Sequence, residues 1–370
     1  MSDNTVTRVL ILDDNPGRHS LVRSNESTSF RILHPLELEA ADLEDIHLVC
    51  VDEYFDREWA ADVFSLVGDR PALQNHDGLA VAAALRSSAR VAAQGGQPGF
   101  AVALFTAELD KLAGDAAGPR QEPLTASIHD LEWIFTFDGG PSPLQDRFVE
   151  LAEAVRSIAR VFANQAGDSW LGLDTQAWGD LARAQIDDCR PPEHALGRST
   201  GGLSYLRWFA QRILPYPTFL LDSSYAALLL GIEVAAFEGA EVQALVEQYD
   251  ARYRGALSKS FLGTRWWRAA LQTLLQDIGT SQWDSPAEKA LAVGNAAGVD
   301  LVPLRSKNPV ITYNTTGDVV EVDGEANDSV RVQMDGWPVY ADEAWARLSD
   351  VRADASLRAL VAHDDLERID

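Results

Sequence analysis

The feature that most constrains this chain is a regular alternation in its first third. Short runs rich in β-branched and aromatic residues recur at "RVLIL" (8–12), "FRILH" (30–34), "HLVCV" (47–51), "FAVALFT" (100–106) and "EWIFTF" (132–137). Between them lie stretches such as "DGLAVAAALRSSARVAA", whose Ala and Leu content suits a helix. Strands that alternate with helices build a parallel, doubly wound sheet with helices on both faces. A five-stranded α/β domain is therefore expected over residues 1–140.

In such sheets ligands bind at the carboxyl ends of the strands, where the strand order reverses. The residues at those ends are Asp13 and Asp14 after the first run, Asp52 after the third and Thr106 at the close of the fourth. Parallel strands carry all four to one edge. Two adjacent acids repel each other unless a cation or water lies between them, and magnesium takes a few carboxylate oxygens together with water and substrate phosphate. With Asp13, Asp14 and Asp52 as metal ligands, Asp52 is placed to attack a phosphoryl donor, and the Thr106 hydroxyl to donate to the new phosphoryl oxygens. The other account of strand-end acids is that they are simply solvated loop residues.

Four motifs in order resemble the receiver domain of two-component response regulators. "LILDDNP" is similar to that family's acidic pair, and "HLVCVDEYFD" to its phosphoacceptor strand with Asp52 in the acceptor position. "HDGLAVAAALR" (76–86) resembles the Asp-Gly turn that opens the third helix, and "VALFTAE" (102–108) the fourth strand with its switch threonine. The resemblance implies a flavodoxin-like fold, magnesium, phosphorylation of Asp52 and a protein partner such as a histidine kinase. Two departures stand out. The family has a Lys followed by Pro at the end of its fifth strand, where "EWIFTFDGG" offers Thr136 and Phe137, with Lys111 the nearest substitute. The loop between Asp52 and Asp77 is also far longer than in the family, and "REWAADVFSLVGDRP" within it has the composition of an extra helix.

After Gly140 the pattern changes. Phe148, Leu151, Val155, Ile158 and Phe162 form an apolar stripe on one long helix, with Ser142 before Pro143 as its expected start. This is a linking helix over 141–165, packed as a core element or as the seam of a homodimer. Residues 166–305 read as a helical, Trp-rich domain, and 306–370 as a small β meander closed by a helix from about Asp342. "RYRGALSKSFLGTRWWR" gathers Arg252, Arg254, Lys259, Arg265 and Arg268 beside Trp266 and Trp267. It suits phosphate binding and base stacking, or an amphipathic helix with Trp inside and Arg paired to the chain's own acids. In "CRPPEHALGRSTGG", Cys189 and His194 lack the third member of a catalytic or metal set.

Charge narrows the function classes. Lys and Arg number 31 against 56 Asp and Glu, a net charge of −25, which opposes binding to nucleic acid or to an anionic membrane. The most apolar segment, Phe219 to Phe237, contains Asp222 and Glu233 and reads as a buried helix. "MSDNTVTR" has no leader pattern, and two unpaired cysteines fit a reducing compartment, so a cytoplasmic protein is expected. These features together describe a signal-transduction regulator, not required to be an enzyme, in which the receiver-like domain controls a helical protein-binding output. The alternatives are a degenerate pseudo-receiver that works as an adaptor by constitutive contacts, and an unrecognised enzyme within residues 166–370.

Overall fold

The structure is a computed structural model that describes residues 6–19, 22–55, 78–94, 99–113, 121–136, 141–163, 170–173, 177–190 and 202–369. Five strands form the first sheet: β1 (Thr7–Leu12), β2 (Thr28–Leu33), β3 (Leu48–Asp52), β4 (Ala101–Thr106) and β5 (Trp133–Thr136). Every pairing is parallel and the order is β2-β1-β3-β4-β5, so strand order reverses between β1 and β3. This is the flavodoxin-like order, and it puts the candidate acids at the switch point.

Alternation along the strands divides two apolar cores. Leu10, Leu12, Val49, Val51, Val102, Leu104 and Ile134 face one side, which is covered by α1 (Gly78–Gln94), α2 (Leu109–Ala113) and α3 (Gln121–Ile128). Val9, Ile11, Leu48, Cys50, Ala103, Phe105, Trp133 and Phe135 face the other, where α4 (Pro141–Ala163) lies across β1 and β3. In the stripe of α4, Phe148, Leu151, Val155 and Ile158 are all buried inside the chain, so these positions offer no seam to a second copy. The Phe162 side chain, the stretch "REWAADVFSLVGDRP" and His194 lie outside the described residues. Between β1 and β2 the chain makes only a short 3-10 turn, Pro16–His19, in place of a helix.

The second core cluster does not stop at α4. It continues through Trp170, Trp178 and a run of short helices to the last described residues, Ile369 included. These helices are α5 (Gly179–Cys189), α6 (Leu203–Trp208), α7 (Ser223–Leu230), α8 (Val234–Phe237), α9 (Ala240–Gln248), α10 (Arg268–Asp277) and α11 (Pro286–Ala297). The apolar stretch from Phe219 is broken at Gly231, which adopts φ 73°, and among the described residues no helix is long and apolar enough to cross a membrane. The basic and aromatic segment is not a helix. Trp266 and Trp267 are buried in the two-residue strand β7, paired to β6 (Leu220–Leu221), and the helix begins only at Arg268. Its arginines serve the chain itself: Arg265 donates to the carbonyls of Leu214, Leu262 and Thr264, Arg268 pairs with Asp342, and Arg254 with Glu247.

The C-terminal sheet also differs from a meander. β8 (Pro309–Tyr313) and β9 (Val319–Glu325) form a hairpin, but β10 (Ser329–Val332) does not join β9. The order is β10-β11-β8-β9, with β11 (Ala344–Arg347) inserted antiparallel to β10 and parallel to β8. The helix expected from Asp342 therefore starts later, at Leu348. Ala344 and Ala346 bury their side chains on one face, and that pairing overrides the helical preference of "AWAR".

Several contacts fasten the sheet to the helices. Phe261 packs on Trp133 and Phe135, with ring centroids 4.6 and 6.0 Å apart. Glu150 of α4 accepts the backbone N–H groups of Lys259 and Ser260, each at 2.6 Å. At the edge of the sheet opposite the acids, the buried Glu132 carboxylate accepts from Val102 N–H at 2.6 Å and from Arg86 Nη1 at 2.9 and 3.0 Å. Arg207 of α6 reaches the same carboxylate at 3.0 Å and also pairs with Asp130. Burial pushes Glu132 above the usual carboxyl range, while the charge of Arg86 pulls it back.

Candidate metal centre

The strands deliver Asp13, Asp14 and Asp52 to one place. One carboxylate oxygen of each lies within 4.8 Å of those of the other two. Asp13 and Asp52 are buried and Asp14 is half-buried. Asp52 is the last residue of β3, where the ladder to Phe105 ends, and Asp13 follows the last rung of β1.

The chain leaving β1 folds back over the acids. Asp13 Oδ1 accepts the Asn15 N–H at 2.6 Å, and Asn15 O accepts the Arg18 N–H at 3.0 Å. With Pro16 fixing one φ, these bonds close the short turn that brings His19 Nε2 to 2.7 Å from Asp13 Oδ2 and Arg18 Nη1 to 3.8 Å from Asp52 Oδ2. The His19 ring also stands edge-on to Phe105, with centroids 5.6 Å apart. Burial raises Asp13, but the bonds from His19 and Asn15 outweigh it and hold its carboxyl below the ordinary value. Asp52 has weaker support, a Tyr54 N–H at 3.4 Å, and burial together with the charge of Asp13 pushes it up to about 7.

Thr106 ends β4 at this edge, yet its hydroxyl donates to the carboxylate of Glu53, the residue after Asp52, and accepts from Glu108 N–H at 2.9 Å. At the end of β5, Thr136 N–H donates to Glu122 Oε1 at 2.9 Å, and Arg147 holds the same carboxylate at 3.2 and 2.5 Å. A half-buried ion pair thus stands at the end of β5. Lys111 adds no free cation, because its ammonium pairs with Glu108 at 2.5 Å. Gly78 opens α1 directly against the end of β3: a Cβ there would fall 1.9 Å from Asp52 O. That close approach explains the glycine of the "HDG" motif.

A cleft of about 260 Å³ opens beside the acids. It is lined by Asp13, Arg18, His19 and Asp52 together with the apolar Phe105, Leu144 and Phe148.

Three hard oxygen donors this close suit magnesium, which accepts a few carboxylates and keeps several waters. Residues that sequence reasoning missed are Arg18 and His19, Glu53, and the Glu122 and Arg147 pair. Their only trace in the sequence was position: "NPGRH" follows the acidic pair within one turn, and Glu53 adjoins Asp52. Cys189, the last residue of α5, is buried, and burial followed by the charge of Asp188 pushes its thiol up to about 11. No family model, curated protein or solved structure matches the chain.

Proposed function

We propose that the α/β domain is a receiver-like regulatory module whose Asp52 accepts a phosphoryl group with magnesium held by Asp13, Asp14 and Asp52. The observation that carries this reading is the convergence of the three carboxylates at the switch point of a parallel 2-1-3-4-5 sheet. A magnesium ion there would neutralise charge on the acids and on the entering phosphoryl oxygens.

The protein's own part is positioning. An Asp52 carboxylate oxygen attacks the phosphorus of an acyl phosphate, the bond from phosphorus to the acyl oxygen breaks, and the carboxylic acid leaves with the electron pair as its carboxylate. For the Thr106 hydroxyl to meet the product it must leave Glu53, so the exchange of one partner for the other is the natural first movement after phosphorylation. Phe105, the preceding residue of β4, lines the cleft and packs on Phe148 of α4 with centroids 5.9 Å apart, so a shift at the end of β4 reaches α4.

A second reading is a platform that binds its partner without phosphorylation. It is favoured by two observations: the Thr106 hydroxyl already has a carboxylate partner, and the end of β5 carries no lysine. One experiment separates the two. The full chain is incubated with acetyl phosphate and magnesium, then examined by intact mass and by thermal melting. A single phosphoryl adduct and a magnesium-dependent rise in Tm, both abolished by Asp52→Asn, support the switch. No adduct in the wild type, with no magnesium-dependent shift, leaves the platform.

A further inference from the structure

Resting on the reading just given, we propose that Arg18 is the cation that neutralises the phosphoryl group at Asp52, in the role the receiver family gives to its lysine. A phosphoryl group on Asp52 would add negative charge beside Asp13 and Asp14, and the end of β5 supplies no positive group there. Its neighbour Glu122 is held by Arg147, and Arg147 is itself committed to that pair and to the rings of Phe135 and Phe261, 5.2 and 5.8 Å away.

Arg18 meets the requirements from the other end of the sheet. Its guanidinium is 3.8 Å from Asp52 Oδ2, beyond direct hydrogen-bond range, and it lines the same cleft as Asp13 and Asp52. The side chain is 62% exposed, so it can swing without unpacking the core. With the Arg18 side chain swung outward, the cleft of about 260 Å³ that both residues line has room for a tetrahedral oxyanion beside Asp52, against roughly 30 Å³ for one water in the liquid. A guanidinium offers two parallel N–H donors to phosphate oxygens, which an ammonium does not. His19, next in the turn, is already engaged by Asp13 and keeps the turn folded over the site.

This placement has a mechanical consequence. A lysine on β5 would report the phosphoryl group to the loop before α4. Arg18 reports it to the β1–β2 connection, so that turn is the element whose position depends on the state of Asp52.

The test uses beryllofluoride, which mimics the phosphoryl group on an aspartate, titrated into the full chain at saturating magnesium, with magnesium titrated alone in parallel. Arg18→Ala is expected to weaken beryllofluoride binding about ten- to hundredfold, the loss of a charge-assisted pair. Arg18→Lys should recover part of the loss, and magnesium affinity should be unchanged or higher in both. Equal beryllofluoride binding by wild type and Arg18→Ala overturns the assignment and leaves the function of Asp52 standing. An equal loss of magnesium and beryllofluoride binding also overturns it, since Arg18 would then only arrange the acids. A wild type that takes magnesium but no beryllofluoride refutes the phosphoacceptor reading itself.

Discussion

Replacing Glu132 by Ala should be among the most damaging single changes in the protein, although it lies at the edge of the sheet away from the acids. The carboxylate is completely buried, accepts from two donors, Val102 N–H and Arg86, and is ion-paired with Arg207 at 3.0 Å. Truncation strands the Val102 N–H, at about 1–3 kcal/mol for an unsatisfied buried donor. It also leaves two guanidiniums, with side chains 8% and 19% exposed, without their buried counter-charge. Breaking a buried pair costs roughly 3–5 kcal/mol. Asp130 offsets part of this, because it contacts both arginines from a half-exposed position. The net expectation is about 4 kcal/mol, read in urea unfolding followed by the emission of the ten tryptophans. At about 1.3 °C per kcal/mol for a chain this long, Tm should fall by about 5 °C. A double-mutant cycle with Arg207→Ala isolates the bond between sheet and α6, with an expected coupling of about 0.5–3 kcal/mol. A loss below about 1 kcal/mol for Glu132→Ala would refute the reasoning, since it would mean that the guanidiniums find water or other partners at little cost.

Further outcomes follow from the site. Gly78→Ala forces a methyl group into the carbonyl of Asp52, and should cost about 3 kcal/mol or more and impair magnesium binding, checked by unfolding and by calorimetric titration. Magnesium affinity should climb as pH rises through about 7, because Asp52 must lose its proton to ligate; Asp52→Asn should flatten that rise, and an unchanged profile would place the titration elsewhere. The same raised value means that Asp52 favours the metal-free fold fully below its unfolded value near 3.8 and loses that contribution as pH rises through about 7, so wild type should gain more than Asp52→Asn on acidification measured by Tm. Phe148→Ala removes a buried ring packed on Phe105 and Phe135 and should cost about 3–5 kcal/mol, with a smaller loss in Phe148→Leu.

The first sheet was legible because each of its strands is a short apolar run, and a fully buried strand needs no partner to be recognised as apolar. The convergence of Asp13, Asp14 and Asp52 followed from that order alone, as a property of parallel strands. The C-terminal sheet was not legible in the same way. "AWAR" consists of good helix formers, and only its pairing with Arg331 and Thr312 makes it a strand. The segment 251–265 failed likewise: its residues suit a helix, yet Arg265 finds carbonyl partners that fix an irregular path. Around the site, the missing information was partner choice. Thr106 could bond to a phosphoryl group, water or Glu53, and Glu122 could pair with any cation nearby. Composition cannot rank such options, because each depends on where a side chain distant in sequence comes to rest.

The apolar cluster that runs from Val9 through α4 to Ile369 has a consequence for how this chain is inherited. A module that evolution can excise and attach to new outputs must present a wettable surface on all sides. Here one face of the sheet has no such surface, since Trp133 and Phe135 are finished by Phe261 from the second half. Recombination at the end of α4 would bare those rings, so the two halves must diverge together. The proposed signal then has a packed path to follow: a shift in Phe105 reaches Phe148, Phe135 and Phe261 in turn through ring contacts.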